Sequence, residues 1–183
     1  VQFVQAQNQF NAYLTSDGTE DDLAEISAQA QDALTRANQV IAEGSQLERY
    51  GVPVDQIARL LAGISLRLLG EVAFEQGDTA QAEQLMGEAG DGLETAVTAL
   101  ASINDHRLQA QAYQALGSVY EWQQFLANER GDEAGAEIAR QKAITQYEQC
   151  AAVGADFPFD VYTVAEIVEP LCLGRLPQLE IGD

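Results

Sequence analysis

The sequence predicts an all-α fold of about seven helices, arranged as antiparallel hairpins stacked side by side. Apolar residues recur at three- and four-residue intervals over most of the chain, which is the period of an amphipathic helix. Turn signals separate these segments, among them Gly77-Asp78 and Gly131-Asp132. No segment between turn signals alternates apolar and polar residues as a half-buried strand would. The chain is therefore expected to consist of helices joined by tight corners.

The first two helices form one predicted hairpin. Residues 1–14 have apolar side chains at mixed helical spacing, and a turn is expected at 15–19. Thr19 and Asp22 match the capping-box pattern at the start of the second helix, which is predicted to end at Glu43. The apolar residues of this helix recur every three or four positions, so one face is expected to pack against its neighbours.

The third and fourth helices meet at the Gly77-Asp78 corner. Pro53 suits the first turn of the third helix, after a connector at 46–52. The third helix is the most apolar of the chain and is therefore expected at the centre of the fold. Asp78 is expected to cap the fourth helix, which is predicted to extend to Ser102.

Three glycines interrupt the fourth predicted helix. If exposed, Gly87, Gly90 and Gly92 each weaken it by roughly 1 kcal/mol relative to alanine. Either the helix bends there, or a neighbouring element packs against the bare backbone. Asn104 or Asp105 is expected to cap the fifth helix.

Two long helices and a capping helix complete the prediction. They cover residues 108–130, 133–153 and 160–173, and the last is expected to cover the exposed face of the stack. The helical domain is predicted over 1–174 as a single unit, followed by a tail at 175–183.

Charge and composition exclude several classes of protein. Nine Lys and Arg face 29 Asp and Glu, for a formal net charge of −20, which repels nucleic acid phosphates and anionic membrane surfaces. An acidic, solvated surface is the simplest interpretation of this charge. No apolar run approaches the ~20 residues of a membrane span, so no direct membrane insertion is predicted.

Two cysteines, Cys150 and Cys172, are the chain's thiols. In a straight antiparallel hairpin with ~1.5 Å rise per residue, they would be offset along the axis by roughly 10 Å. A disulfide needs Cα atoms within about 7 Å, so two unpaired buried thiols are favoured. A break of the last helix near Pro170, which is expected to kink or end it, is the alternative that would allow pairing.

Two segments share a set of marker residues. Leu69-Gly70 aligns with Leu116-Gly117, and the two Gly-Asp corners align with each other. Further matches are Ala73 with Tyr120, Ala82 with Ala136, and Ala89 with Ala143. This pattern resembles the tetratricopeptide repeat, which has Leu-Gly on its first helix, a Gly-Asp turn, and spaced alanines on its second. The resemblance implies a right-handed solenoid.

The second copy departs from the family pattern. Its Leu-Gly pair follows that of the first copy by 47 residues (from Gly70 to Gly117), against 34 in the family. The interval from Gly117 to Gly131 is twice that from Gly70 to Gly77. The first helix of the second copy is therefore expected to be two turns longer.

The resemblance also implies a concave groove lined by the first helix of each hairpin. The groove-facing positions would be Ile64, Arg67, Glu71, Phe74, Glu75, Gln111, Gln114, Ser118, Glu121 and Trp122. Arg67 would meet a carboxylate of the partner, and the glutamates would meet basic side chains. The alternative is that Phe74 and Trp122 belong to the core and the charges are merely solvated.

No catalytic pattern accompanies the repeats. His106 is the one histidine and has no ligand partners at metal-site spacing. Nucleophile-elbow, P-loop and dinucleotide-binding motifs are absent from the sequence. The prediction is a non-catalytic scaffold, without cofactor or metal, that binds a peptide or protein segment, including a basic one, in an acidic groove.

Two alternatives stay open. One is an accessory subunit of a larger assembly, at a membrane or cell surface. The other is a small-molecule site in the helical hollow, suggested by an aromatic cluster of Tyr113, Tyr120, Trp122 and Phe125. The sequence begins with Val1 rather than Met, which favours an exported protein, periplasmic or on the cell surface, over a cytoplasmic one.

Overall fold

The chain folds into α-helices, as predicted. The structure, a computed structural model, describes residues 2–15, 19–43, 48–49, 52–157 and 159–181. The elements are α1 (Gln2–Thr15), α2 (Glu20–Glu43), β1 (Glu48–Arg49), β2 (Val52–Pro53), α3 (Val54–Glu75), α4 (Thr79–Leu100), α5 (His106–Glu129), α6 (Glu133–Asp156), α7 (an α-helical turn Val161–Thr163 continued by a π-helix Val164–Leu173) and α8 (Leu176–Ile181). Residues 16–18 of the predicted turn and most of the predicted connector at 46–52 lie outside the described residues.

Consecutive helices pack against each other along the chain. The hairpins are α1–α2, α3–α4 and α5–α6, and α7 packs on α6. The helices that open successive units also meet, since α3 contacts α5 and α5 contacts α7. This arrangement is compatible with the predicted solenoid. The two-residue strands β1 and β2 form a short antiparallel pair before α3, so Pro53 precedes this helix instead of lying in its first turn.

The two Gly-Asp corners have the same structure. Gly77 and Gly131 have φ angles of 83° and 74°, a region that glycine enters without the steric cost of a side chain. The Asp78 side chain accepts a hydrogen bond from the Gln81 N–H (3.0 Å), and Asp132 accepts one three residues further on (2.9 Å). The predicted cap at Asp78 is confirmed, and the glycine in each corner ends one helix where the aspartate begins the next.

Two further predicted helix starts are confirmed. The Thr19 N–H donates to Asp22 Oδ2 (2.7 Å), and the Asp22 N–H donates back to Thr19 Oγ1 (3.4 Å), which completes a capping box. At α5 the cap is Asp105, whose carboxylate accepts from the Leu108 N–H (3.0 Å).

Close contacts between helices show that the predicted match of Leu69-Gly70 with Leu116-Gly117 is wrong. A Cβ added to Gly117 would lie 2.7 Å from Tyr147 Cε1, and one added to Gly63 would overlap Leu93. The shift from Gly63 to Gly117 is 54 residues, and so is the shift from Leu93 to Tyr147. Gly117 therefore corresponds to Gly63 and not to Gly70.

The same shift of 54 residues relates the two corners, Gly77 and Gly131, so the two hairpins correspond throughout with one register. As a result α3 and α5 are similar in length, 22 and 24 residues, and α5 is not two turns longer. Gly70 instead faces Met86, with an added Cβ 2.9 Å from its Cε. The two Leu-Gly dipeptides therefore lie at different positions along α3 and α5. Matching the dipeptides in the sequence could not show this difference.

The core is divided into three clusters that share side chains. The largest joins α3 through α8, a second joins α1, α2 and α3, and a small third cluster lies where α3, α4 and α5 meet. Leu66 packs against the first and second clusters, and Leu85 against the second and third. The glycines of α4 differ in surroundings: Gly87 and Gly92 face open space, whereas Gly90 lies against Gln123.

Cys150 and Cys172 form a disulfide, so the prediction of unpaired thiols is wrong. Their Cα atoms are 6.2 Å apart. The helix α6 continues to Asp156, three residues beyond its predicted end, which moves the corner away from Cys150. The helix α7 is mostly a π-helix, whose i→i+5 hydrogen bonds place more residues in each turn than in the straight α-helix assumed above. Both differences reduce the expected offset of Cys150 and Cys172 along the helix axes.

Gly154 explains how closely α7 approaches α6. Gly154 lets α7 lie against α6, because an added Cβ would be 2.7 Å from Val168 Cγ1. Pro170 lies inside the π-helix and does not end it.

The segment expected as a tail contains a helix. Within α8, the Leu179 side chain is buried in the largest core cluster, and its carbonyl accepts a hydrogen bond from Arg140 Nη1 (2.6 Å). This segment therefore completes the α6–α7 end of the fold.

Candidate functional site

A groove runs along the face that carries α1, α3, α5 and α7. It consists of two adjoining cavities, A and B, of about 500 and 520 Å³. Cavity A is lined by Gln114, Ser118, Glu121, Trp122, Phe125, Tyr147, Leu171 and Arg175. Cavity B is lined by Gln7, Asn11, Ile57, Leu60, Leu61, Ile64, Arg67, Leu108, Gln111, Gln114, Ile167 and Leu171. The cavities share Gln114 and Leu171 in their linings, so they lie side by side in this depression.

Most of the predicted groove residues lie in this depression. Those that line cavity A or B are Ile64, Arg67, Gln111, Gln114, Ser118, Glu121 and Trp122. The other three lie elsewhere. Glu71 is buried at 3% exposure, Phe74 is half-buried against the third core cluster, and Glu75 is exposed near the end of α3. Whether the lining residues contact a partner stays a prediction.

Arg67 joins three helices below the groove. Its Nη2 donates to Gln7 Oε1 of α1 (2.7 Å), and its Nη1 donates to Ser118 Oγ of α5 (3.3 Å). Nη1 also pairs with the buried Glu71 carboxylate one turn further along α3. Burial raises the pKa of Glu71, while the Arg67 charge and the Trp122 side chain oppose the rise. Both side chains are therefore engaged within the protein, and the predicted roles of Arg67 and Glu71 in meeting partner charges stay predictions.

Glu121 is also engaged internally. Tyr147 donates its hydroxyl to Glu121 Oε2 (2.6 Å), and Arg175 donates to Oε1 through Nη2 (2.6 Å) and Nε (3.1 Å). Burial and the neighbouring Glu121 charge raise the pKa of Tyr147. Arg175 also donates to Gln178 (2.7 Å), so this network links the lining of cavity A to α8.

Two aromatic side chains, Trp122 and Phe125, line cavity A, and Phe74 packs against both. Phe74, Trp122 and Phe125 meet edge to face, with ring centroids 5.1–5.7 Å apart. The predicted four-membered aromatic cluster does not form, because Tyr120 is buried next to Glu94 and Tyr113 packs on the largest core cluster. Trp122 packs against the third core cluster and also lines cavity A, and its contact with a partner stays a prediction.

The charge of the groove differs from the predicted acidic one. Glu121 is the one acidic residue among those that line cavities A and B, and it is paired with Arg175. The lining otherwise carries Arg67, amide side chains and apolar side chains. In a chain of net charge −20, this groove is therefore close to neutral.

Sequence reasoning missed several lining residues, chiefly Tyr147, Leu171 and Arg175. Tyr147 belongs to a second helix, and Arg175 lies in the segment expected as a tail. Nothing in the local sequence indicates that these three side chains approach α5, because that contact depends on how α6, α7 and the segment after α7 pack. The aromatic–apolar pair Phe125 and Leu171 is 40% and 42% exposed, which is high for large apolar side chains in the middle of a fold.

His106 and the acidic residues offer no other site in the described part of the chain. The His106 ring stacks on Phe157, with ring centroids 3.2 Å apart. No group of His, Cys, Asp and Glu able to hold a metal ion occurs among the described residues. None of the described helices is both long and apolar enough to cross a membrane.

Comparison with known proteins adds no relative. A scan against family models, a search of curated proteins and a search of solved structures each found no match to this chain.

Proposed function

We propose that this protein is a non-catalytic helical scaffold that holds a peptide or protein segment in the groove formed by cavities A and B. The observation that carries the proposal is that two cavities of similar volume adjoin along α5 between α3 and α7. Ligand sites are typically concave, mostly apolar and largely preformed. The Arg67 network, the Glu121–Arg175 pair and the disulfide hold the walls of this groove without a ligand.

The resemblance to tetratricopeptide repeats supports the same function. Stacked hairpins of this kind create extended concave surfaces that suit segments of a partner. The spacing of 54 residues between corresponding positions exceeds the family's 34, so we do not borrow the family's partner contacts.

The experiment selects peptides from a random display library on the oxidised, full-length protein and maps them with two matched variants. Leu171→Glu places a charge in the groove, where the side chain is 42% exposed. Ile138→Glu makes the same change on α6, where the side chain is 62% exposed and lines neither cavity. We expect selected peptides to lose at least tenfold in affinity with Leu171→Glu and to bind Ile138→Glu as they bind the unmodified chain. Equal binding to both variants would place the peptide site elsewhere.

We also propose that the protein works in an oxidising compartment. The Cys150–Cys172 disulfide is the support, because such bonds persist in secreted, periplasmic and cell-surface proteins and are rare in the cytosol. Thiol titration of the denatured protein purified from its native source, without reductant, checks this. Two reactive thiols per chain would contradict it.

A second candidate function is a subunit of a larger assembly. Just before α7 and in its first turn, the side chains of Phe159, Val161 and Tyr162 are 95%, 67% and 72% exposed. Exposed apolar clusters of this kind mark interaction sites. Native mass spectrometry of complexes captured from the source organism, with and without Phe159→Ser and Tyr162→Ser, distinguishes the two functions, because a subunit contact would be lost while groove binding would remain.

A further inference from the structure

The geometry points to an uncharged, apolar segment in extended conformation as the occupant of the groove, an inference that rests on the proposed function. Three features of cavities A and B lead to it: the pairing of their charges, the amide side chains along cavity B, and their length.

The charges of the groove offer little to a charged ligand. A basic side chain would meet only Glu121, whose two oxygens already accept from Tyr147 and Arg175. To pair with the ligand, Glu121 would have to release Arg175, so one ion pair would replace another with little net gain. An acidic side chain would meet Arg67, already bound to three partners, and would enter a protein of net charge −20. Both signs of charge are therefore disfavoured.

Amide side chains line cavity B on two sides. Gln7 and Asn11 come from α1 and hydrogen-bond to each other (3.3 Å), while Gln111 and Gln114 come from α5. In the described part of the chain, the Gln111 and Gln114 side chains have no hydrogen-bond partner. An amide both donates and accepts, which matches the unpaired N–H and C=O groups of an extended main chain. A helical ligand satisfies most of these groups itself and would leave the glutamines unused in an apolar groove.

The length of the groove suits a short extended segment. Along α5 the lining runs from Leu108 to Phe125, which at 1.5 Å per residue is roughly 26 Å. An extended chain covers this length with about eight residues at ~3.3 Å each. Its alternate side chains would point into the apolar walls formed by Leu60, Ile64 and Leu171 and toward the aromatic side chains of cavity A.

The test uses three capped octapeptides in which leucine alternates with serine, with lysine or with glutamate. Trp122 is the single tryptophan of the chain and lines cavity A, so its fluorescence reports occupancy without a label. We expect the serine peptide to change Trp122 emission at a concentration at least tenfold below the other two, with little change between ~0.05 and ~0.5 M NaCl. Tighter binding of the lysine or glutamate peptide at ~0.5 M NaCl, where long-range attraction is screened, would overturn the inference.

The extended conformation is tested with Gln111→Leu/Gln114→Leu, and Gln149→Leu on the exposed side of α6 is the matched control. We expect the double variant to bind the serine peptide at least tenfold more weakly than the unmodified protein does. The control variant should bind it as the unmodified protein does. Unchanged or tighter binding by the double variant would favour a helical occupant, and a stronger Trp122 response to octyl glucoside than to any peptide would favour a small apolar ligand. Either result overturns the inference.

The two proposals fail in different ways. If no octapeptide affects Trp122 while peptides from the display library still depend on Leu171, the inference is wrong and the proposed function stands. If the library also yields no peptide that depends on Leu171, both are wrong.

Discussion

The disulfide between Cys150 and Cys172 fastens a wall of the groove to the rest of the fold. Both cysteines are fully buried, and they join α6 to α7. Leu171, next to Cys172, lines both cavities, and Arg175 lies one turn further on. The covalent link therefore supports the element that completes the groove.

Removing this link is expected to destabilise the protein. The bond closes a loop between residues 22 apart in sequence. For a loop of this length the lost chain entropy of the unfolded state corresponds to about 3 kcal/mol. We expect Cys150→Ala/Cys172→Ala to lower the free energy of unfolding by about this amount, measured by urea denaturation followed by circular dichroism. The unmodified protein in reductant is the control, and an unchanged midpoint in both samples would contradict the bond's role.

Arg67 is expected to contribute far more to the stability of the fold than an exposed arginine with an ion-pair partner at the same i,i+4 spacing. The side chains of Arg67 and Glu71 are 16% and 4% exposed, so loss of one partner leaves a buried charge. Arg67→Met should cost about 3–5 kcal/mol of stability, and Arg67→Met/Glu71→Leu should recover much of this. Arg36, paired with Asp32 at the same i,i+4 spacing but 67% exposed, provides the control.

For the control, Arg36→Met should change stability by less than about 1 kcal/mol, because exposed pairs contribute little. Denaturant melts of the three variants and the unmodified protein measure the difference. A double variant as unstable as Arg67→Met would show that Glu71 is not the source of the cost.

Two glycine-to-alanine substitutions are expected to have opposite effects. At Gly117 an added Cβ would lie 2.7–3.0 Å from the ring of Tyr147, which is buried and cannot move aside freely. Gly117→Ala should therefore destabilise the protein by about 1–3 kcal/mol. At Gly92 there is open space, so Gly92→Ala should stabilise α4 by about 0.5–1 kcal/mol. Thermal melts of both variants check the signs, and a stable Gly117→Ala would contradict the close packing of α5 on α6.

Stability is expected to fall at alkaline pH because of Tyr120 and Tyr147. Burial and neighbouring carboxylates raise the pKa of both hydroxyls above the ~10 of an unfolded chain. Below about pH 10 both states are protonated and these groups add no pH dependence. Above it the unfolded chain ionises first, so stability should fall by about 1.4 kcal/mol per pH unit for each tyrosine.

Urea melts between about pH 8 and 11.5 test this slope. Tyr147→Phe should reduce the slope of stability against pH by about 1.4 kcal/mol per pH unit, the contribution of one tyrosine. Tyr162→Phe removes the same hydroxyl from a ring that is 72% exposed, and it should leave the slope unchanged. An equal slope in all three proteins would mean that Tyr147 is not responsible.

Helices, caps and corners were largely determined by the sequence itself. Amphipathic period, the aspartate caps at Asp78 and Asp105, and the glycines of the two corners act over a few residues, so a local pattern is sufficient to predict them. Most of the predicted groove residues also lie in the groove, since they repeat on one face of α3 and α5.

Tertiary structure alone decided how distant side chains meet. Arg175 reaches Glu121, Cys172 reaches Cys150, and Gly117 faces Tyr147 because of how deeply each pair of helices packs and at which level. The packing distance and the relative position of two helices depend on small residues at their contact and, for α7, on its π-helical turns. An error of one helical turn in that position shifts a side chain by about 5 Å. The charge of the groove follows from these pairings, which is why a chain of net charge −20 has a nearly neutral groove that composition did not predict.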